Sequence, residues 1–268
     1  MQNSKPTVFD DIIEKAERIN QPTKLDESIA ASAAEIIWKK KRLKRITSSK
    51  MKIFLTPGKK VNEHFGKTAI AYLVQIKGQR RTGESFEKEL DIFNFRWGKE
   101  HEPRAFELAQ EKYKGIISGT QANEIIFRTY GEIFGDSPDF ESEVLTGEIK
   151  CPVDRVKIEM EREKIIWYTT AKNGERSYHE YFWQFIGHFI GHPKAEKIVY
   201  VVYDAYTDVI YPHELQRNEV LGEIEQAEAR LDFAESVLLM SEIEGWSNRP
   251  IIEINELYEK QLNTEKDE

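Results

Sequence analysis

Asp139 and the triplet Glu148-Ile149-Lys150 are the residues whose types and spacing point most directly to chemistry. In an extended strand, side chains two apart point to the same face. Glu148 and Lys150 would therefore share a face, with Ile149 turned the other way into apolar packing. Two carboxylates brought together can hold a hard divalent cation such as Mg2+ through oxygen ligands. A lysine beside them can orient or activate an attacking water and offset developing negative charge. Hydrolysis of a phosphodiester needs such a set of groups. Short Glu-x-Lys strings are also common on solvent faces, so the surroundings have to carry the argument.

Those groups must be held by a folded core, and the composition allows one. The chain has 268 residues, enough for one large domain or a main domain with a small appendage. Its 14 Phe, 11 Tyr and 5 Trp supply the apolar material. The only cysteine, Cys151, rules out an internal disulfide and any four-cysteine zinc or iron–sulfur site. Met1 to Asp11 lacks a signal-like apolar stretch, and no apolar run approaches a membrane span. The expectation is a cytoplasmic protein of a bacterial cell, without a membrane partner.

A net charge of −8 argues at first against a nucleic-acid partner, but the charge is unevenly spread. From Lys39 to Lys60 there are ten lysines and arginines and no acidic residue, whereas Glu214 to Glu268 carries fifteen acidic and five basic residues. A basic segment facing phosphates, coupled to an acidic outer helix, fits that distribution. A lysine-rich solvated helix end fits the basic stretch equally well.

Apolar spacing predicts a helix over 26–41 through Ile29, Ala33, Ile36 and Ile37, and another over 63–79 through Phe65, Ala69, Tyr72, Leu73 and Ile76. Between them, Thr47-Ser48-Ser49 would cap a helix, or Lys50 to Leu55 would run as a strand. A helix from Gly98 to Tyr113 would turn Glu102, Ala105, Phe106, Ala109 and Tyr113 inward. Strands are expected over 124–130, 132–134 and 146–151, the last closed by Pro152. Residues 155–166 fit either state, 177–190 reads as an aromatic-rich helix, and 197–206 as the clearest buried strand. A long helix over 218–241 carries most of the acidic charge, followed by a short helical piece over 254–260. This order points to an α/β fold with a central mixed sheet and N-terminal helices on one side. The expected organisation is an extension over 1–25, a main domain over 26–213 and an acidic helical extension over 214–268.

Around the acid–lysine set stand further candidates. Glu102 falls on the inward side of its helix, where a charge is costly unless paired or coordinated. It would reach a metal cluster, or serve as a helix-start carboxylate or a partner for Arg104 or His101. Gln184 lies among Tyr178, Tyr181, Phe182, Trp183 and Phe185, where nothing in an aromatic core calls for an amide. It would hydrogen-bond a water or a phosphate, or be satisfied by backbone. His179, His188 and His192 form no recognisable zinc pattern, and helix packing or surface exposure is expected for them. Arg42 and Ser49 flank the basic stretch with a planar fork and a hydroxyl suited to phosphate. A phosphate-cradling glycine loop and a Gly-x-Ser-x-Gly nucleophile motif are both absent.

Four ordered blocks then carry a resemblance. They are Trp38-Lys39-Lys40-Lys41-Arg42-Leu43 with Ile46-Thr47-Ser48-Ser49; Trp97-Gly98-Lys99-Glu100-His101-Glu102; Ser137-Pro138-Asp139 with Gly147-Glu148-Ile149-Lys150-Cys151-Pro152; and Tyr181-Phe182-Trp183-Gln184. Together they resemble the lambda exonuclease and YqaJ-type recombinase nucleases of phages and bacteria, a branch of the PD-(D/E)xK superfamily. The resemblance implies a restriction-endonuclease-like core and Mg2+ or Mn2+ bound by Asp139, Glu148 and the Ile149 carbonyl, with Glu102 acting from the adjacent helix, in part through water. It implies that Lys150 positions or deprotonates water and Gln184 helps orient it, and that Arg42, Ser49 and Tyr181 contact DNA phosphate. Relatives degrade linear double-stranded DNA from its 5′ ends and leave a 3′ strand for a single-strand annealing protein. Some form a ring-shaped homotrimer around DNA. Two residues depart from the family pattern: Phe140 follows the aspartate where glycine is usual, and Lys44 stands where glycine is common. The rival expectations are a nuclease of the same core that cuts internally or on branched DNA, and a non-catalytic DNA-binding recombination scaffold.

Overall fold

The computed structural model describes residues 35–60, 62–86, 93–113, 118–119, 126–163, 165–172, 174, 176–243 and 251–267. The extension expected over 1–25, with Ile29 and Ala33 of the first helix, lies outside the described residues. The described residues begin with helix α1 (35–42), strand β1 (Ile46–Thr47) and helix α2 (Met51–Leu55), followed by α3 (Lys67–Thr82) and α4 (Phe93–Lys112). Among the described residues, strands β2 (Ser118–Gly119), β3 (Arg128–Tyr130), β4 (Phe134–Asp136), β5 (Phe140–Glu141) and β6 (Leu145–Lys150) come next. Helix α5 (Arg155–Glu163), β7 (Tyr168–Thr170), β8 (Arg176–Tyr178) and helix α6 (Phe182–Gly191) lead to β9 (Lys197–Asp204) and β10 (Val209–Gln216). Helices α7 (Leu221–Ile243) and α8 (Ile254–Asp267) close the chain.

The central sheet has the order β10-β9-β6-β5-β2. Strand β6 runs parallel to β9, and the other neighbours pair antiparallel. Parallel neighbours need a long crossover, here the segment from α5 through α6. Both faces of β9 are covered, which is why Ile198 to Tyr203 reads as an unbroken apolar run. Ile198, Tyr200 and Val202 join the core beneath α6 and α7. Val199, Val201 and Tyr203 pack on the other face with Ala105, Phe106 and Ala109 of α4. A smaller sheet, β1-β4-β3, takes in Ile46 and Thr47 from the middle of the basic segment.

The register fixes the faces of β6. Glu148 pairs with Tyr200 and Lys150 with Val202, on the α6 side. Leu145 and Ile149 turn toward α4. The shared face expected for Glu148 and Lys150 is therefore present.

Several elements differ from the sequence reading. The helix expected over 177–190 starts at Phe182, because Arg176–Tyr178 pairs with Tyr168–Thr170 in a hairpin closed by Gly174 at φ +85°. The open segment 155–166 is helical through Glu163, and of the two alternatives for Lys50 to Leu55 the helix is present, entered through a 3-10 turn over Ser48–Lys50. Helix α3 starts at Lys67, four residues later than expected, and stops at Gly83, whose φ of +77° forms a left-handed cap. Strand β10 was not anticipated. Pro212 interrupts its pattern, and a proline is tolerated there because β10 is an edge strand.

The expected division at 213/214 falls inside β10, whose ladder continues to Gln216 opposite Lys197. Helix α7 packs against the main core. Its Ile224, Ala227, Leu231, Ala234 and Leu238 recur at helical spacing and enter the main core with α2, α3 and α6. Ile254 and Tyr258 of α8 join the same core. Among the described residues no helix is long and apolar enough to cross a membrane.

Candidate active site

Close packing brings the sequence blocks together. A Cβ on Gly187 of α6 would stand 2.8 Å from the Ser48 Cβ, so the helix meets the Ser48–Lys50 turn only because residue 187 is glycine. Ser49 Oγ then accepts from Arg42 Nη2 at 3.4 Å, and the Arg42 guanidinium lies 4.3 Å from the Trp38 ring centre. Trp38 Nε1 donates to Ser137 Oγ at 3.0 Å, tying the basic block to the segment that carries Asp139. Lys44 adopts φ +73°, a left-handed conformation that explains why glycine suits this place.

These contacts frame a cleft of about 1290 Å³. Every site residue read from the sequence lines it: Arg42, Ser49, Glu102, Asp139, Glu148, Ile149, Lys150, Tyr181 and Gln184. Glu148 is the hub and is almost wholly buried. One of its oxygens accepts from Gln184 Nε2 at 2.6 Å and also from Lys150 Nζ. The other faces His188 Nε2 at 3.1 Å. Burial opposes a charge on Glu148, but the Lys150 ammonium and His188 outweigh it and bring its pKa down to about 2. Burial also works against the Lys150 ammonium, yet Glu148 and Asp139 hold its pKa above the ordinary lysine range.

Asp139 follows the small sheet and sits where its Oδ2 accepts the Ile149 backbone N–H at 2.6 Å. Burial, then the charges of Glu148 and Glu102, push its pKa well above the usual carboxylate range. Glu102 comes from α4, on the other side of the sheet from Gln184. Burial and the Glu148 charge raise its pKa, against opposing pulls from Lys150 and Lys99. The partners foreseen for Glu102 are otherwise engaged: Arg104 binds Asp208 and Glu107, and His101 bonds the Trp97 carbonyl. The three acids thus crowd negative charge into one place, and Lys150 offsets only part of it.

Crowded, buried carboxylates suit a cation. Among the described residues no three of His, Cys, Asp and Glu form a ready-made metal cage. Mg2+ does not need one, since it keeps several waters and takes one or two carboxylates together with substrate oxygens. The all-oxygen set of Asp139, Glu148 and the Ile149 carbonyl, with Glu102 nearby, fits that requirement.

Two residues beside the cleft, the buried His188 and the half-buried Lys157, were not assigned to it from the sequence. His188, expected to pack in its helix or lie exposed, is buried, and its Nδ1 lies 2.7 Å from Asp136 Oδ1 while its Nε2 faces Glu148. Burial works against an imidazolium here, but Asp136 and Glu148 outweigh it and raise the His188 pKa to about 10. The only available signal was its position one helical turn after Gln184. Lys157 of α5 also reaches the cleft, donating to the Tyr181 hydroxyl at 3.1 Å and pairing with Glu180 at 2.6 Å. The Lys150 and Lys157 ammonium groups lie 5.3 and 5.0 Å from the centre of the Tyr181 ring.

With this geometry in hand, comparisons with known proteins locate the fold. A crystal structure of an alkaline exonuclease, LHK-Exo from Laribacter hongkongensis, superposes with a TM-score of 0.54 at 21% identity, over 76% of this chain and 94% of that one. The chain has the fold of LHK-Exo. The structure of LHK-Exo in complex with dAMP gives a TM-score of 0.56 at 21% identity, over 78% and 96% of the two chains. A phage-related exonuclease from Haemophilus somnus 129PT superposes at 0.48 and 16% identity, over 74% and 96%. No protein-family model and no curated protein matches the sequence. The mixed sheet flanked by helices is thus the restriction-endonuclease-like α/β core shared with LHK-Exo.

Proposed function

We propose that the cleft hydrolyses DNA phosphodiesters with Mg2+, or Mn2+ in its place, acting as a 5′-to-3′ exodeoxyribonuclease on linear duplexes. The observation that carries this reading is the convergence of Asp139, Glu148, Lys150 and Gln184 with Arg42 and Ser49 on one cleft. The dAMP in the LHK-Exo complex, a deoxynucleoside monophosphate, supports release of mononucleotides.

Asp139, Glu148 and the Ile149 carbonyl would hold the cation, with Glu102 reached through water. When bound, Mg2+ supplies Lewis acidity toward a phosphate oxygen and lowers the pKa of water. The Lys150 ammonium offsets negative charge that develops on the phosphoryl oxygens and orients the water by donating to it. Gln184 holds Glu148 in place through its amide. The Arg42 fork and the Ser49 hydroxyl receive a terminal or neighbouring phosphate, which locates a duplex without reading its bases. A homo-oligomer enclosing the duplex, and delivery of the 3′ strand to a single-strand annealing protein, belong to the same proposal.

The test compares linear duplex, with and without a 5′ phosphate, against covalently closed circles in Mg2+. The expected result is mononucleotide release from the linear substrates alone. Rapid loss of closed circles without prior nicking would overturn the end-dependent reading. Lys150→Ala should abolish digestion while DNA binding persists; unchanged digestion would remove this cleft from the reaction.

A further inference from the structure

His188 joins two carboxylates that belong to different sheets. Asp136 ends β4 of the small sheet and Glu148 lies within β6 of the central one. The imidazole spans them, at 2.7 Å to Asp136 and 3.1 Å to Glu148, and neither His188 nor Asp136 is exposed. An imidazole engaged at both nitrogens is fixed in orientation. The terminal torsion of a glutamate, by contrast, is broad unless its oxygens are held. Gln184 and His188, one helical turn apart, hold one Glu148 oxygen each.

The surroundings of Asp136 are built for this contact. A Cβ on Gly191 would stand 2.5 Å from the Asp136 Cβ and 2.8 Å from its Oδ2. Helix α6 therefore admits the aspartate because residue 191 has no side chain. Asp136 Oδ2 is buried without a hydrogen-bond partner, a cost that an apolar residue at this position would avoid. Holding His188 gives the buried carboxylate a reason to be there.

We propose that Asp136 and His188 form a positioning dyad that fixes the Glu148 carboxylate for its divalent cation, an inference that rests on the nuclease reading above. Neither residue touches cation or substrate; both act through Glu148. Outer partners of metal-ligating groups are commonly worth about 10–100-fold in metal affinity, and this sets the size of the expected effect.

The test measures Mn2+ binding to the full chain without DNA, by electron paramagnetic resonance and titration calorimetry. Melting of each variant in EDTA is followed alongside. His188→Ala should weaken Mn2+ binding by about 10–100-fold. His188→Gln keeps an amide that can reach Glu148 but loses the arm to Asp136, so it should recover part of that loss. Gly191→Ala substitutes no cleft residue and raises helix propensity, yet should weaken Mn2+ binding by displacing Asp136 and so loosening Glu148. Should His188→Ala fail to fold, the other two variants decide. Wild-type Mn2+ affinity in His188→Gln and Gly191→Ala that melt like the parent would overturn the dyad, and so would a wild-type chain that binds no Mn2+ at all. Wild-type protein that binds Mn2+ but releases nothing from linear duplex would sink the nuclease reading, leaving the same binding series to judge the dyad.

Discussion

Phe140 covers Gly147, its direct partner across β5 and β6, so closely that a Cβ on the glycine would lie 2.0 Å from the ring. Phe140 follows Asp139, the aspartate proposed to hold the cation, where the nucleases that the sequence resembles usually carry glycine, and Gly147 opens the Gly-Glu-Ile-Lys string. The ring takes the place a side chain at 147 would fill, on the α4 face and away from Glu148. The departure is therefore absorbed by packing, and Asp139 still reaches the Ile149 N–H.

That pairing makes a coupled prediction. Gly147→Ala overpacks a full interior and should cost about 1–3 kcal/mol. Phe140→Ala opens a cavity and should cost about 3–5 kcal/mol. The double variant should lose less than the sum of the two, since each change relieves the other. Urea unfolding of all four proteins gives the answer, and strict additivity would show that the ring and the glycine are independent.

A second prediction concerns the tie between the basic block and the acid segment. Trp38→Phe removes the 3.0 Å donor to Ser137 while leaving an aromatic face under Arg42. Stability should fall by about 0.5–1.5 kcal/mol, the net worth of one hydrogen bond. Because Ser137 precedes Asp139, the proposed cation ligand, by two residues, the Mg2+ concentration for half-maximal DNA digestion should rise too. A stability loss with no change in metal requirement would mean that the tie braces the fold without aligning the site.

What the sequence made legible depended on how local the signal was. Ile198 to Tyr203 announced a buried strand because both of its faces are covered, and the common face of Glu148 and Lys150 followed from a two-residue period. His188 gave no such sign: its partners lie 52 and 40 residues away in the chain, and only folding sets them around one ring. Strand β10 was hidden by Pro212 and by the polar residues of an edge. In α7 the many carboxylates drew attention from the apolar stripe that buries it.

That stripe yields a third prediction. Leu231 is fully buried in the main core, so Leu231→Ala should cost about 2–5 kcal/mol. The loss should appear as a lower midpoint of a single cooperative transition that also reports the cleft. If circular dichroism and tryptophan fluorescence separate into two transitions, with the cleft surviving the first, the C-terminal helices form an independent unit after all.

The fourth prediction follows the clamp that holds α4, and Glu102 with it, against the β9–β10 turn. Arg104 grips Asp208 with bonds of 2.7 and 3.0 Å, and Tyr203 donates to the same carboxylate at 2.8 Å. The hydrogen bonds from Arg104, then that from Tyr203, lower the Asp208 pKa from 3.8 to about 2. A carboxylate depressed in the folded state binds its proton more readily once unfolded, so its stabilisation is complete above the unfolded pKa and fades as pH falls through the folded one. The window here runs from about pH 4 down to about pH 2. The pair is exposed, so its contribution at neutral pH is small and falls further with added salt. Asp208 stands at φ +56°, a conformation asparagine accepts far better than alanine. Asp208→Asn therefore deletes the charge while keeping the turn, and should flatten the acid limb of the stability profile relative to the parent. Urea midpoints at pH 6, 4 and 2.5 read this directly. Parallel profiles for the two proteins would mean that the clamp contributes nothing to acid stability and that α4 is held by the packing of Ala105, Phe106 and Ala109 alone.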